Sequence, residues 1–235
     1  MPILAIETAS LVSSVALATA DTLLAEITLQ TKKTHSEILM PHIAEILNMA
    51  GVSKMDITAV AVSIGPGSFT GLRIGLATAK SLAYAMKIPL IGVSTLSALA
   101  YGCFVPGAIL APMLDAQRGN VYHAVFEWQN GNLTELMPAT VLGIDEALNK
   151  LAQYNTPVIV MGEAAVQYRE KIEQIAEPLV LAAPHMIIQR ASSVAGLGHM
   201  MIKEGVQHDV MALEPLYIRR SEAEVLWECR HGGNL

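Results

Sequence analysis

The chain has 235 residues, of which 52% are hydrophobic and 15% charged, enough apolar material for one large domain or two small ones and too much for a disordered chain. Acidic residues outnumber basic ones by 21 to 15, and no run of Lys or Arg exceeds the pairs Lys32-Lys33 and Arg219-Arg220, which excludes a protein that grips nucleic acid by itself through a basic run. Cys103 and Cys229 lie far apart and outside any Cys-x-x-Cys pair, so a disulfide framework and a structural zinc site are excluded as well, and a reducing cytoplasm is expected.

Three short apolar runs open the chain, Pro2 to Glu7, Leu11 to Thr19 and the alternating Thr22 to Gln30, and they predict an antiparallel three-stranded start. Glu7, and the lack of a basic stretch before the first run, argue against a signal peptide. Thr34 or Ser36 can cap a helix running to Ala50, with Leu39, Ile43, Ile46, Leu47 and Ala50 on one face, Gly51 as its stop, and Pro41 marking a kink or the start of the regular part. Ile57 to Ile64 is uncharged and rich in β-branched residues, as a strand covered on both faces would be. A glycine-rich loop then leads into a helix from Leu72 to Met86.

Ile88 to Leu114 carries no charge and is long enough to span a bilayer, but Pro89, Gly92, Gly102, Pro106, Gly107 and Pro112 break it into strand, helix, linker and strand. Past the linker Gly102 to Gly107 the spacing predicts strands at Ala108 to Asp115, Asn120 to Trp128 and Leu133 to Met137. It then predicts a helix at Ile144 to Leu151, a strand at Val158 to Met161, a helix at Ala164 to Ala176, a strand at Leu179 to Ala182 and a helix at Ala191 to Glu204. The second half repeats the βββαβαβα order of the first. An α/β protein of two similar lobes follows, divided as residues 1–105 and 106–235.

The loop Gly65-Pro66-Gly67-Ser68-Phe69-Thr70-Gly71 admits two readings. Backbone N–H groups at a helix start can hold an anion, or the glycines can press a helix tightly onto a sheet. The Walker and dinucleotide spacings both fail here, and Ser68, with no base near it in sequence, reads as a helix cap rather than a nucleophile. Tandem lobes of this order resemble the actin-like ATPase and sugar-kinase architecture, whose phosphate turns usually read Asp-x-Gly and then a hydroxyl residue. The corresponding turns are Glu7-Thr8-Ala9-Ser10 and Asp115-Ala116-Gln117-Arg118-Gly119, with Gly162-Glu163-Ala164-Ala165 in place of the adenosine clasp. All three are worn, and they leave Glu7, Thr8, Ser10, Gly67 and Ser68 as weak candidates for holding a nucleotide.

Five segments together are similar to the bacterial TsaB (YeaZ) family: Ile3 to Thr8, His35-Ser36-Glu37-x-Leu39-x-Pro41, Gly65 to Gly75, Asp115 to Tyr122 and Glu214 to Arg219. Glu7 and Gln117 depart from the commoner aspartate and arginine. The resemblance implies a part in making N6-threonylcarbamoyladenosine at position 37 of tRNAs that read codons beginning with A. It implies a subunit that is not itself an enzyme, has no cofactor of its own, pairs with the metal-holding transferase TsaD, works with the ATPase TsaE, and meets tRNA only through the complex. The competing reading is an active phosphotransferase or glycoprotease-like peptidase of the same fold.

A metal site is not expected, because His35 and His42 stand seven residues apart, about 10 Å along a helix axis. The helix from Leu72 is apolar or small on most of its surface, with Arg73, Ala77, Lys80 and Tyr84 as its one polar strip. Ile38, His42, Met49, Leu72, Gly75, Thr78, Ala79 and Leu82 are therefore expected to form a partner interface, used for a homodimer in isolation and for TsaD in the working complex, with the tail after Arg220 as a further candidate.

Overall fold

The computed structural model describes residues 1–30, 34–175 and 177–218. Lys32, Lys33, Ala176, Arg219, Arg220, Cys229 and the tail beyond Arg220 lie outside the described residues. The first half runs β1 (Ile3–Glu7), β2 (Val12–Ala18), β3 (Leu23–Gln30), α1 (His35–Ala50), β4 (Val60–Gly65), α2 (Phe69–Met86), β5 (Leu90–Ser94) and α3 (Thr95–Tyr101). Its sheet has the order β3-β2-β1-β4-β5, with β1, β2 and β3 antiparallel and β4 and β5 parallel to β1. The second half repeats this with β6 (Ile109–Asp115), β7 (Asn120–Gln129), β8 (Asn132–Gly143), α4 (Ile144–Leu151), β9 (Val158–Met161), α5 (Glu163–Gln167), α6 (Arg169–Ile175), β10 (Leu179–Leu181) and α7 (Ala191–Lys203). Its order, β8-β7-β6-β9-β10, matches strand for strand.

Several element boundaries differ from the expectations for local reasons. The strand after the first helix starts at Val60 rather than Ile57, because a short 3₁₀ turn, Lys54–Asp56, capped by Ser53, uses up the approach. Helix α2 begins at Phe69, since Ser68 accepts a hydrogen bond from Gly71 N at 3.3 Å and so caps it three residues early. Helix α1 runs unbroken past Pro41 from His35, and Gly51 closes it in the left-handed region. The helix expected from Ala164 to Ala176 is divided at Tyr168. Strand β8 is twice the expected length; it is an edge strand, where Pro138 needs no ladder partner, and register shifts opposite it absorb the irregularity.

The apolar runs are buried on both faces as their composition requires. In the first sheet, Leu4, Ile6, Val60 and Val62 pack beneath α1 and α2. On the opposite face, Ile3, Ala5, Ala61 and Ile91 meet Ala191, Val194 and Ala195 of α7, the last helix of the second half. Reciprocally, Leu96, Leu99 and Ala100 of α3 pack with Leu110, Leu114, Ala124 and Phe126 of the second sheet. The halves therefore exchange their final helices.

A polar clasp fixes α7 in that position. Glu26 of β3 accepts hydrogen bonds from Arg190 Nε at 3.0 Å, Ser192 N at 2.9 Å and Ser192 Oγ at 2.7 Å, and Ser14 Oγ accepts one from Ala191 N. A carboxylate at a helix N-terminus gains from the unpaired N–H groups and the dipole. Glu26→Ala is expected to cost about 2 kcal/mol and to raise amide hydrogen exchange throughout α7 more than in α1, which exchange mass spectrometry reads directly.

Candidate functional site

The β1–β2 turn and the glycine loop meet at the upper edge of the first sheet, and the contact is tight. A Cβ at Gly67 would sit 2.3 Å from Ala9 O, one at Gly71 2.0 Å from Thr8 O, and one at Gly75 2.2 Å from Thr8 Oγ1. Thr8 Oγ1 donates to Gly71 O at 2.9 Å, Ser68 N donates to Ala9 O, Ser10 Oγ donates to Gln189 Oε1 and accepts from Val12 N, and Glu7 Oε1 accepts from Ala9 N at 2.6 Å. The structure thus brings Glu7, Thr8, Ser10, Gly67 and Ser68 together. It turns the groups that would face a phosphate toward one another, and of the two readings of the loop it is the close corner that the geometry carries. The packing at Gly162 is as close, because a Cβ there would lie 2.1 Å from Met113 O.

Glu7 is fully buried, with Oε2 lacking a partner and the Ser63 hydroxyl beside it outside good hydrogen-bond geometry. Burial pushes this carboxyl from 4.5 up to about 7, against the pull of the Ala9 amide, and the nearby Glu163 carboxylate adds to the rise. Glu163, the first residue of α5, is itself raised by burial and by Asp115 at the end of β6, so acids of the two halves lie near one another. The folded state holds a proton on Glu7 that the unfolded chain releases, and stability therefore falls as pH rises from about 4.5 to 7. Glu7→Gln is expected to leave stability at pH 4 unchanged and to raise it by about 2 kcal/mol at pH 8, as denaturant titrations at the two pH values would show.

The histidines have structural surroundings. His35 Nε2 lies 2.8 Å from Ser10 O, His199 Nε2 3.0 Å from Ala18 O, and His208 Nδ1 accepts from Gly92 N. His123 is buried in β7, and burial lowers its pKa to about 4. Among the described residues no three His, Cys, Asp or Glu side chains converge as a metal site.

The expected interface residues separate into two groups. Ile38, Leu72, Gly75 and Ala79 are buried within the first half, Ala79 completely and in the cluster with Ile43, Ile46 and Leu76. Thr78 is half-buried and donates to Ile74 O, while His42 and Leu82 are half-buried and Met49 is exposed. Met40 and Ala44 of α1 and Ala85 of α2 are exposed as well, but Met40 stands nine residues from Met49, about half a turn round the helix, so the two methionines lie on opposite flanks of α1.

One feature escaped the spacing arguments. After α7 the chain returns along α2: His208 N donates to Leu90 O, Lys80 Nζ to Met211 O, and Leu216 N to Ile64 O. Tyr217 stacks on Phe69 at 5.1 Å, and its hydroxyl accepts from Arg73 Nε at 3.1 Å, while the Arg73 guanidinium lies 3.8 Å over the Phe69 ring. The Phe69/Arg73 spacing of four was the available signal, but its third member lies 144 residues on.

A family model described as TsaD, tRNA N6-adenosine threonylcarbamoyltransferase, matches residues 22–227. The tRNA threonylcarbamoyladenosine biosynthesis protein TsaB of Bacillus subtilis (strain 168) is 35% identical over 97% of this chain and 98% of its own length. That of Escherichia coli (strain K12) is 32% identical over 95% and 96%. Among solved structures, YeaZ from Pseudomonas aeruginosa superposes with a TM-score of 0.78 at 25% identity, covering 92% of this chain and 99% of that one. A ROK hexokinase from Thermus thermophilus, at TM-score 0.50 and 12% identity over 87% of this chain and all of its own, shares the fold alone. The fold is the two-lobed architecture of actin-like ATPases and sugar kinases, and the chain belongs to the TsaB (YeaZ) family.

Proposed function

We propose that the chain is a non-catalytic subunit in the synthesis of N6-threonylcarbamoyladenosine at position 37 of tRNAs reading codons that begin with A. It acts as partner and scaffold of a TsaD transferase, together with the ATPase TsaE, in the cytoplasm. Relatives named for this biosynthesis span nearly its whole length, and the match to the transferase family model supports descent from a common two-lobed ancestor. The observation that supports the non-catalytic reading is the contact of Gly67, Gly71 and Gly75 with Thr8 and Ala9, which packs the glycine loop and the start of α2 directly against the β1–β2 turn. The scaffold reading rests on one α1/α2 flank, where His42, Thr78 and Leu82 are half-buried and Met49 and Ala85 stand exposed on two packed helices. In isolation that face pairs with a second copy, and in the complex it takes the transferase.

The test is reconstitution with TsaD, TsaE, tRNA and the threonylcarbamoyl donor. Modified adenosine is expected only when this chain is present, and full modification without it would sink the proposal. Steady ATP turnover by the isolated chain, lost in Glu7→Ala, would instead establish an active phosphotransferase.

A further inference from the structure

Lys150, Arg169, Lys171 and Arg190 are each in an ion pair, with Glu146, Glu173, Asp145 and Glu26. Arg73, Lys80 and Lys87, like Lys54 and Lys203, are in none among the described residues, and these three recur every seven residues along α2 and its C-cap. Seven helical residues advance about 10.5 Å and return to the same face, so the three form one line about 21 Å long. Helix α2 contains no Asp or Glu. Asp209 feels the charge of Lys80, and its carboxylate accepts from the Met211 and Ala212 amides. The line lies on the flank beside the returning segment, to which both Lys80 and Arg73 are tied, and not on the flank of Thr78 and Leu82.

Arg73 is also held in one orientation. Phe69 lies under its guanidinium and the Tyr217 hydroxyl accepts from Nε, which leaves the two terminal amino groups without a hydrogen-bond partner among the described residues. A planar fork held this way loses little freedom on meeting an anion and suits the two oxygens of a phosphate diester. We propose that Arg73, Lys80 and Lys87 form a rail for the phosphate backbone of the tRNA within the complex. The rail rests on the function proposed above, which supplies the RNA. Its narrow width and the net charge of −6 fit a chain that adds phosphate contacts to RNA held mainly by another subunit.

The experiment compares the complex of the full chain and its transferase, wild type against Arg73→Gln/Lys80→Gln/Lys87→Gln, for binding of unmodified tRNA between about 50 and 200 mM salt. The variant should bind about tenfold or more weakly near physiological salt, with the slope of log K against log salt reduced by about one for each cation removed. Its melting temperature and transferase capture should match wild type. An unchanged affinity and slope would overturn the rail. So would lost transferase capture with unchanged RNA binding, which would assign the line to an acidic protein surface. Should the triple variant fold poorly, Lys87→Gln alone, at the exposed end of α2, must still lower the slope by about one. A wild-type complex that forms no modified adenosine would instead bring down the proposed function itself.

Discussion

Ala79→Arg is expected to unfold the first lobe, whereas Met49→Arg, on the same pair of helices, leaves it folded and abolishes partner capture. Ala79 has no exposed surface and lies among Leu39, Ile43, Ile46, Leu76 and Ala83, so a guanidinium there has neither room nor a route to water. An unpaired charge forced into such a core costs more than about 4 kcal/mol, a large fraction of the stability of a domain. Met49 is 65% exposed, and its replacement alters the core little. On the proposed contact face, however, an arginine would have to be desolvated against an apolar partner surface, which costs several kcal/mol of binding. Circular dichroism melting separates the two variants. Light scattering and a TsaD pull-down then decide whether soluble Met49→Arg is a monomer that no longer captures its partner. If it still dimerises and binds, the contact face lies elsewhere.

Gly71→Ala is expected to destabilise by about 3 kcal/mol, lowering the melting temperature by roughly 6 to 12 °C, although alanine is the better helix former by about 1 kcal/mol. The added Cβ would fall 2.0 Å from Thr8 O. That carbonyl cannot easily swing aside, because the turn is pinned by Ala9 N donating to Glu7 and by Ser68 N donating to Ala9 O. Ala77→Gly, on the exposed side of the same helix, isolates propensity alone and should cost about 1 kcal/mol. A Gly71→Ala protein as stable as wild type would show that the helix can lift off the turn, and a phosphate-sized opening would then have to be reconsidered.

The order of elements was legible because each depends on local chemistry: β-branched runs for the central strands, Thr34 and Gly51 bracketing α1, Ser68 capping α2. What local spacing could not decide was which side of a small residue is occupied. Gly75 and Ala79 look available for a partner on a helical wheel, but Thr8 and the core beneath α1 already fill that space. The glycine loop stayed ambiguous for the same reason, since its occupant is a turn 63 residues earlier. The Glu26 clasp on α7 and the segment returning along α2 join positions more than 130 residues apart, and a single sequence carries no marker for such pairings.

The exchange of α3 and α7 also bears on how the protein is made. A nascent chain that has emerged only as far as the linker offers Ile3, Ala5, Ala61 and Ile91 an uncovered sheet face, because Ala191, Val194 and Ala195 have not yet been translated. Apolar surface left open during synthesis invites aggregation and chaperone capture. The first half therefore waits about 100 further residues, several seconds or more at typical elongation rates, before its core can close. Premature termination anywhere before α7 leaves that sheet face open, and α7 is the element that closes it.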